Sequence, residues 1–309
     1  MAFRNKPRIT NLWSKVVDGD KGEWISRVVL ESIIPFVYEI NEINGGLMIE
    51  CSGAEVNMPE GVLEVNDGLL REMDIRQEGA DTVRVEIALD HPAAYKLAVY
   101  EDFPFRLAIN LDRSYIRGLL TGKKIVIDPG HGGRDHGGKG PVSLLEKDVV
   151  VPIAKNLEKL LQKTGARVTL TRSGDEDLSL QERAALALQA DADAYISIHT
   201  NASADSGVEG AATLYAPVNN TSERLASYIQ EEIVKKLKVR DRGIAGQPDL
   251  VGMDKGIPAV EVEVVTITNI VEEVFLRGLT IQKRAAEGIV NGLIKYFASD
   301  RLNVKGDKN

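Results

Sequence analysis

The sequence is poor in the residues that would make several explanations easy. It has one cysteine in 309 residues, Cys51. No disulfide can therefore close within the chain, and a cysteine-based zinc site is excluded. It lacks an excess of positive charge. The net charge is −8, and residues 1–120 carry 13 basic against 20 acidic side chains. That balance argues against nucleic acid as the main partner, and against bulk electrostatic grip by the first part on any polymer. No run of about eighteen apolar residues exists, so no membrane span is expected. The start, MAFRNKPRITNLWSKVVDGD, has no apolar core of a leader, so no signal peptide is expected in it. No solenoid repeat and no low-complexity linker is visible. A G-x-S-x-G elbow is missing, which removes the usual serine hydrolase. A P-loop is nearly spelled by GRDHGGKG, 133–140, with Lys139 in place. Gly140 stands where the magnesium-binding Ser or Thr belongs, and Pro141 follows instead of a helix.

What is present falls into two textures. Residues 26–112 show partial apolar–polar alternation broken by Gly, Asn, Asp and Pro, in segments such as TVRVEIALD and FRLAINLD. They read as a small all-β domain of antiparallel strands. Residues 1–25 read as an extension and 113–122 as a joint. From residue 123 strands and helices alternate, which implies an α/β domain with a mainly parallel twisted sheet and helices on both faces. Its strands are expected at KKIVIDPG, ARVTLTR, AYISIHTN and PAVEVEVV. Its helices are expected at EKDVVVPIAKNLEKLLQKTG, RAALALQA, TSERLASYIQEEIVKKL and TIQKRAAEGIVNGLIKYF. Ile153, Leu157, Leu160 and Leu161 share a helix face, Gly165 stops that helix, and Ser179 with Glu182 makes a capping box. The domain is expected to close near 298, with 299–309 a polar tail.

Sites in such sheets lie beyond the carboxyl ends of the strands. His131 leaves one strand end, in the glycine-rich stretch KKIVIDPGHGGRDHGGKG, and His199 closes another. Glu146 opens the helix that follows the glycine-rich loop. It either complements a helix N-terminus or serves as a third ligand. A His, Glu, His set leaves a fourth position for water, as in catalytic zinc sites. Glu261 and Glu263 lie two apart on one face of an otherwise apolar strand, a costly placement unless at least one projects into a polar cleft. His136 reads as a loop histidine, and its neighbour Asp135 as a residue that shapes the turn.

These residues resemble the zinc-dependent N-acetylmuramoyl-L-alanine amidases. IVIDPGHGGRDHGG is similar to their opening motif, LLEKDVVVPIAKNLEKLL to the segment with the acidic ligand, and LTRSGDEDLSLQERAALA to their middle block. ISIHTNAS resembles the second histidine motif, and IPAVEVEVVTITN the terminal glutamate motif. The resemblance covers residues 123–298. It implies one zinc per chain held by His131, Glu146 and His199, with Glu263 as the catalytic glutamate, six residues before Asn269. It implies hydrolysis of the amide between N-acetylmuramic acid and the stem-peptide L-alanine of peptidoglycan, and so a cell-envelope or extracellular place of action. Residues 26–112 resemble the β domain called AMIN that often precedes such enzymes.

The last motif departs from the family. Val264 to Thr268 replace its usual Gly and aromatic, and Glu261 stands where an apolar residue is usual. No acidic insertion of the autoinhibitory kind is visible. Arg172, Asn201, Glu261 and Asn269 are candidates for supporting or substrate contacts. Two other classes remain open at this point: a catalytically impaired wall-binding protein, and a zinc peptidase acting on sugar-free peptides. No protein partner can be inferred from the sequence.

Overall fold

The computed structural model describes residues 6–19, 23–217, 220–248, 250 and 256–306. It divides into two compact units, Met1–Gly118 and Leu119–Asn309.

The first unit is built from β1 (Arg8–Asp18), β2 (Trp24–Ser32), β3 (Val37–Ile43), β4 (Gly46–Ser52), β5 (Glu55–Val56), β6 (Gly61–Glu64), β7 (Leu70–Glu78), β8 (Thr82–Leu89), β9 (Tyr95–Tyr100) and β10 (Phe105–Asp112). They form two five-stranded sheets, ordered β5-β1-β2-β10-β9 and β3-β4-β8-β7-β6. Period-two alternation does the sorting: β8 buries Val83, Val85 and Ile87, and β4 buries Leu47, Ile49 and Cys51. Burial pushes the Cys51 thiol up to about 12, which keeps it unreactive. Two expected boundaries need correction. The supposed extension 1–25 contains β1, which pairs antiparallel with β2 along nearly its whole length. Its alternation is obscured by exposed polar positions, which hid it from the pattern reading. Arg113, placed in the joint, is buried in this unit, 3.0 Å from Asp67 and stacked over the Trp24 ring.

Helix α1 (Ser114–Leu120) crosses the boundary between the units. The second unit continues with β11 (Lys124–Pro129), α2 (Glu146–Lys163), β12 (Arg167–Leu170), α3 (Leu180–Gln189), β13 (Ala194–Asn201), β14 (Ala211–Tyr215), α4 (Asn220–Leu237), β15 (Asp241–Gly246), β16 (Ala259–Thr266), α5 (Ile270–Leu276) and α6 (Leu279–Gly306). The sheet order is β12-β11-β13-β16-β14-β15. Pairing is parallel from β12 to β16 and again between β14 and β15, and antiparallel only where β14 meets β16. Helix α3 starts with the expected capping box at Ser179 and Glu182. Helix α6 runs well past residue 298, so most of the expected polar tail is helix. It packs against α4 through Gly288 and Gly292, where an added Cβ would lie 3.0 Å and 2.6 Å from the Cα atoms of Ile233 and Ile229.

One face of this sheet prepares the site. Register aligns Val126, Tyr195 and Ala259 in a row across β11, β13 and β16. Together with Ala187 of α3 they form an apolar cluster. The next row toward the carboxyl ends is Asp128, Ser197 and Glu261, and beyond it His199 stands opposite Glu263. The face therefore turns from oil to polar groups within two pleats, about 13 Å of strand.

Candidate active site

The chain leaves β11 through Gly130 and bends over the strand ends. His131 holds a left-handed backbone, φ 61°, a conformation that a non-glycine residue adopts only when its surroundings impose it. Arg183 and Arg172 impose it. Arg183, buried on α3, pairs with Asp128 at 2.5 Å and donates to the carbonyls of Pro129 and His131. Arg172 donates to the carbonyls of Pro129, Gly130, Lys147 and Gly174. The glycines of the loop are there for proximity. A Cβ on Gly130 would fall 2.2 Å from the His199 ring, and one on Gly137 2.4 Å from the His131 ring.

His131, Glu146 and His199 converge. The Nε2 of His131 lies 3.2 Å from one carboxylate oxygen of Glu146, and the Nδ1 of His199 lies 3.1 Å from the other. Each oxygen also accepts a backbone N–H, from Gly138 at 2.7 Å and from Thr200 at 2.7 Å. Burial alone would raise the Glu146 pKa, but its hydrogen bonds and charge contacts with the two histidines hold it well below the carboxylate range. Burial likewise pushes His131 down, and the carboxylates of Glu146 and Asp135 push it further up, to about 9. Asp135 accepts from the His131 Nδ1 side at 2.8 Å, a contact the sequence reading assigned only to turn shape. With Nδ1 bound there, Nε2 is the ring atom turned to Glu146.

The donor set fits a metal. One ligand atom from each of His131, Glu146 and His199 lies within 4.8 Å of the others, near enough to share one ion. Two imidazole nitrogens and one carboxylate suit zinc, with its fourth position left to the cleft.

The remaining candidates separate. Glu261 lines a cleft of about 370 Å³ together with His131, His199, Arg183 and Gln247. Its Oε2 is 4.0 Å from the far nitrogen of His199, and burial raises its pKa. Glu263 is held by Arg242 of β15 at 2.8 Å. Arg172 is a buried scaffold for carbonyls, so it is not placed to touch substrate. Asn201 bonds Thr266 through their side chains. Asn269 caps α5, accepting from the N–H groups of Val271 and Glu272. His136 is not among the converging ligands. Arg183 and Arg242 were missed by sequence reasoning. Arg183 could have been found as the one strong cation on the inward face of a capped helix next to the buried Asp128.

A mainly parallel sheet with two histidines and a glutamate gathered at its carboxyl edge defines an α/β domain with a side-chain group that could hold a metal ion. Residues 125–295 match the N-acetylmuramoyl-L-alanine amidase family over more than half of the chain, and the protein belongs to that family. It is 38% identical over 184 residues to N-acetylmuramoyl-L-alanine amidase LytC of Bacillus subtilis, covering 59% of this chain and 37% of that one. It is 37% identical over 195 residues to the probable cell wall amidase LytH of Staphylococcus epidermidis, covering 62% and 65%. The chain thus spans between about a third and two thirds of these relatives' length. Among solved structures, the amidase AmiC2 of Nostoc punctiforme superposes with a TM-score of 0.55 at 32% identity, covering 58% of this chain and 99% of that one. The CwlD amidase of Clostridioides difficile, solved in complex with the GerS lipoprotein, gives 0.56 at 30%, covering 58% and 100%.

Proposed function

We propose that the protein is a zinc-dependent N-acetylmuramoyl-L-alanine amidase that cleaves the bond between N-acetylmuramic acid and the first L-alanine of the peptidoglycan stem, in the cell envelope or outside the cell. The observation that carries this is the convergence of His131, Glu146 and His199, whose ligand atoms lie within 4.8 Å of one another, in a chain of this family. A zinc ion held by those three residues would supply Lewis acidity and a water acidified to a pKa of about 7. The protein's own groups do the rest. Asp135 fixes the His131 ring, and the backbone N–H groups of Gly138 and Thr200 orient the two oxygens of Glu146. Glu263 is the general base. It takes the proton of the attacking water and passes it to the leaving amine. Two facts support that role: it is the cross-strand partner of His199, and Arg242 binds its Oε2, which fixes the carboxylate. The first unit is a wall-targeting module of AMIN type.

The test is a digest of purified wall. New L-alanine amino termini are expected. Other termini would mean a peptidase, and no release would mean a binding protein. Glu263→Gln should retain one zinc per chain and lose about 10²- to 10⁴-fold in turnover.

A further inference from the structure

Glu261 has no part in the reaction above, yet its position is costly. Its strand neighbours Val260, Val262 and Val264 are fully buried, and its own side chain is only 17% exposed. Among the described residues no group hydrogen-bonds it, and its nearest opposite partner is the Nε2 of His199 at 4.0 Å. That nitrogen is the one turned away from Glu146, since Nδ1 is the atom that meets it. Glu261 therefore stands behind the ring, while the converging donor atoms lie in front of it. The same arrangement exists at the other imidazole, where Asp135 holds the Nδ1 of His131 and leaves Nε2 for the metal.

We propose that Glu261 is a positioning residue: it holds the Nε2–H of His199, directly after a small side-chain rotation or through one water, and so fixes the tautomer that offers Nδ1 to zinc. This rests on the reading of His131, Glu146 and His199 as zinc ligands. A carboxylate behind a ligand imidazole orients the ring and makes its other nitrogen a better donor, and removing such a partner commonly costs 10- to 100-fold in metal affinity. With Glu261 in place, both ligand histidines of this chain carry a carboxylate on the far side. In register Glu261 pairs across β13 with Ser197, one row below His199, which brings its carboxylate beside the Nε2 of that ring.

The test uses the full chain and zinc in competition with a chromophoric chelator, with cobalt as a spectroscopic substitute. Glu261→Leu should bind zinc about 10- to 100-fold more weakly, and its cobalt form should show a shifted visible spectrum. Glu261→Gln, which can still accept the N–H, should recover most of that loss. The metal-free Leu variant should melt no lower than the parent, because an apolar side chain replaces a desolvated carboxylate. A purely structural role predicts the opposite melting result and no change in affinity. Unchanged zinc affinity in the Leu variant would overturn the proposal. So would a zinc-saturated Gln variant that loses about 10²-fold or more in turnover with affinity intact, since that would make Glu261 the base. A parent protein that binds no zinc would instead remove the ligand reading, and this inference with it.

Discussion

At the scale of single residues, the proposed zinc site holds a proton on His131 that a bound metal would displace. Burial lowers the His131 pKa, but Glu146 and Asp135 raise it more, from the ordinary 6.5 to about 9 in the metal-free chain. A folded-state pKa above the unfolded one gives stability that is complete below about pH 6.5 and disappears as pH rises through about 9. Without zinc, the melting temperature should therefore fall across that window. Because the bound ring must be neutral, zinc affinity should rise across the same window. Melting curves at several pH values, with and without zinc, check both slopes. A flat metal-free curve would show that the imidazole is not held between the two carboxylates. The residues of this site were legible to different degrees. His131, Glu146 and His199 each sit at an element's end, where a polar group after an apolar run stands out. Asp135 acts on a ring nitrogen brought close by folding, and nothing in its local sequence points to that partner, whereas Arg183 stands out only as the one cation of a capped helix.

At the scale of elements, α5 is built inside out. Its carboxylates Glu272 and Glu273 are buried, while Ile270, Val271, Val274 and Phe275 are exposed. The buried groups explain the inversion. Glu273 accepts from the backbone N–H groups of Val142 and Leu144, and Arg277 donates to the carbonyl of Val142. Glu272 accepts from Gly210 and Thr266. The loop that ends at Glu146 is thus clipped to α5 on one side and, through Gly138, to the Glu146 carboxylate on the other. Glu273→Ala would leave two N–H groups without acceptors, a loss of about 1–3 kcal/mol for each that stays buried. It should lower the melting temperature by several degrees and weaken zinc binding several-fold with all three ligands intact. Equal zinc affinity in that variant would show that the clip does not reach the ligand. A periodicity reading looks for carboxylates outside and apolar residues inside, so it had no way to find α5. It also missed β14 and β15. β14, AATLY, is short and without alternation, and β15, DRGIAG, has a glycine inside it. The four helices it did find were longer than α5, and the four strands it did find carried a fuller apolar pattern.

At the scale of the whole molecule, the two units each enclose a core of their own, one of strand faces and one of sheet and helices. Residues 119–309 expressed alone should fold, bind zinc and cleave soluble muropeptides at a rate similar to the full chain. On intact wall they should be slower, because a tethered binding module raises the local concentration of enzyme. Equal rates on intact wall would remove the targeting role from the first unit. The register of the second unit also has a kinetic consequence. His199 meets Glu146 only after β13 has paired in parallel with β11 across a crossover that includes two helices and a strand. Pairings of that kind close late, since they pay loop entropy before contacts repay it. The ligand set is then incomplete when the folding barrier is crossed, and zinc can bind tightly only after it. Zinc should accordingly leave the refolding rate of the catalytic unit unchanged and slow its unfolding, lengthening the life of the native state without hastening its arrival.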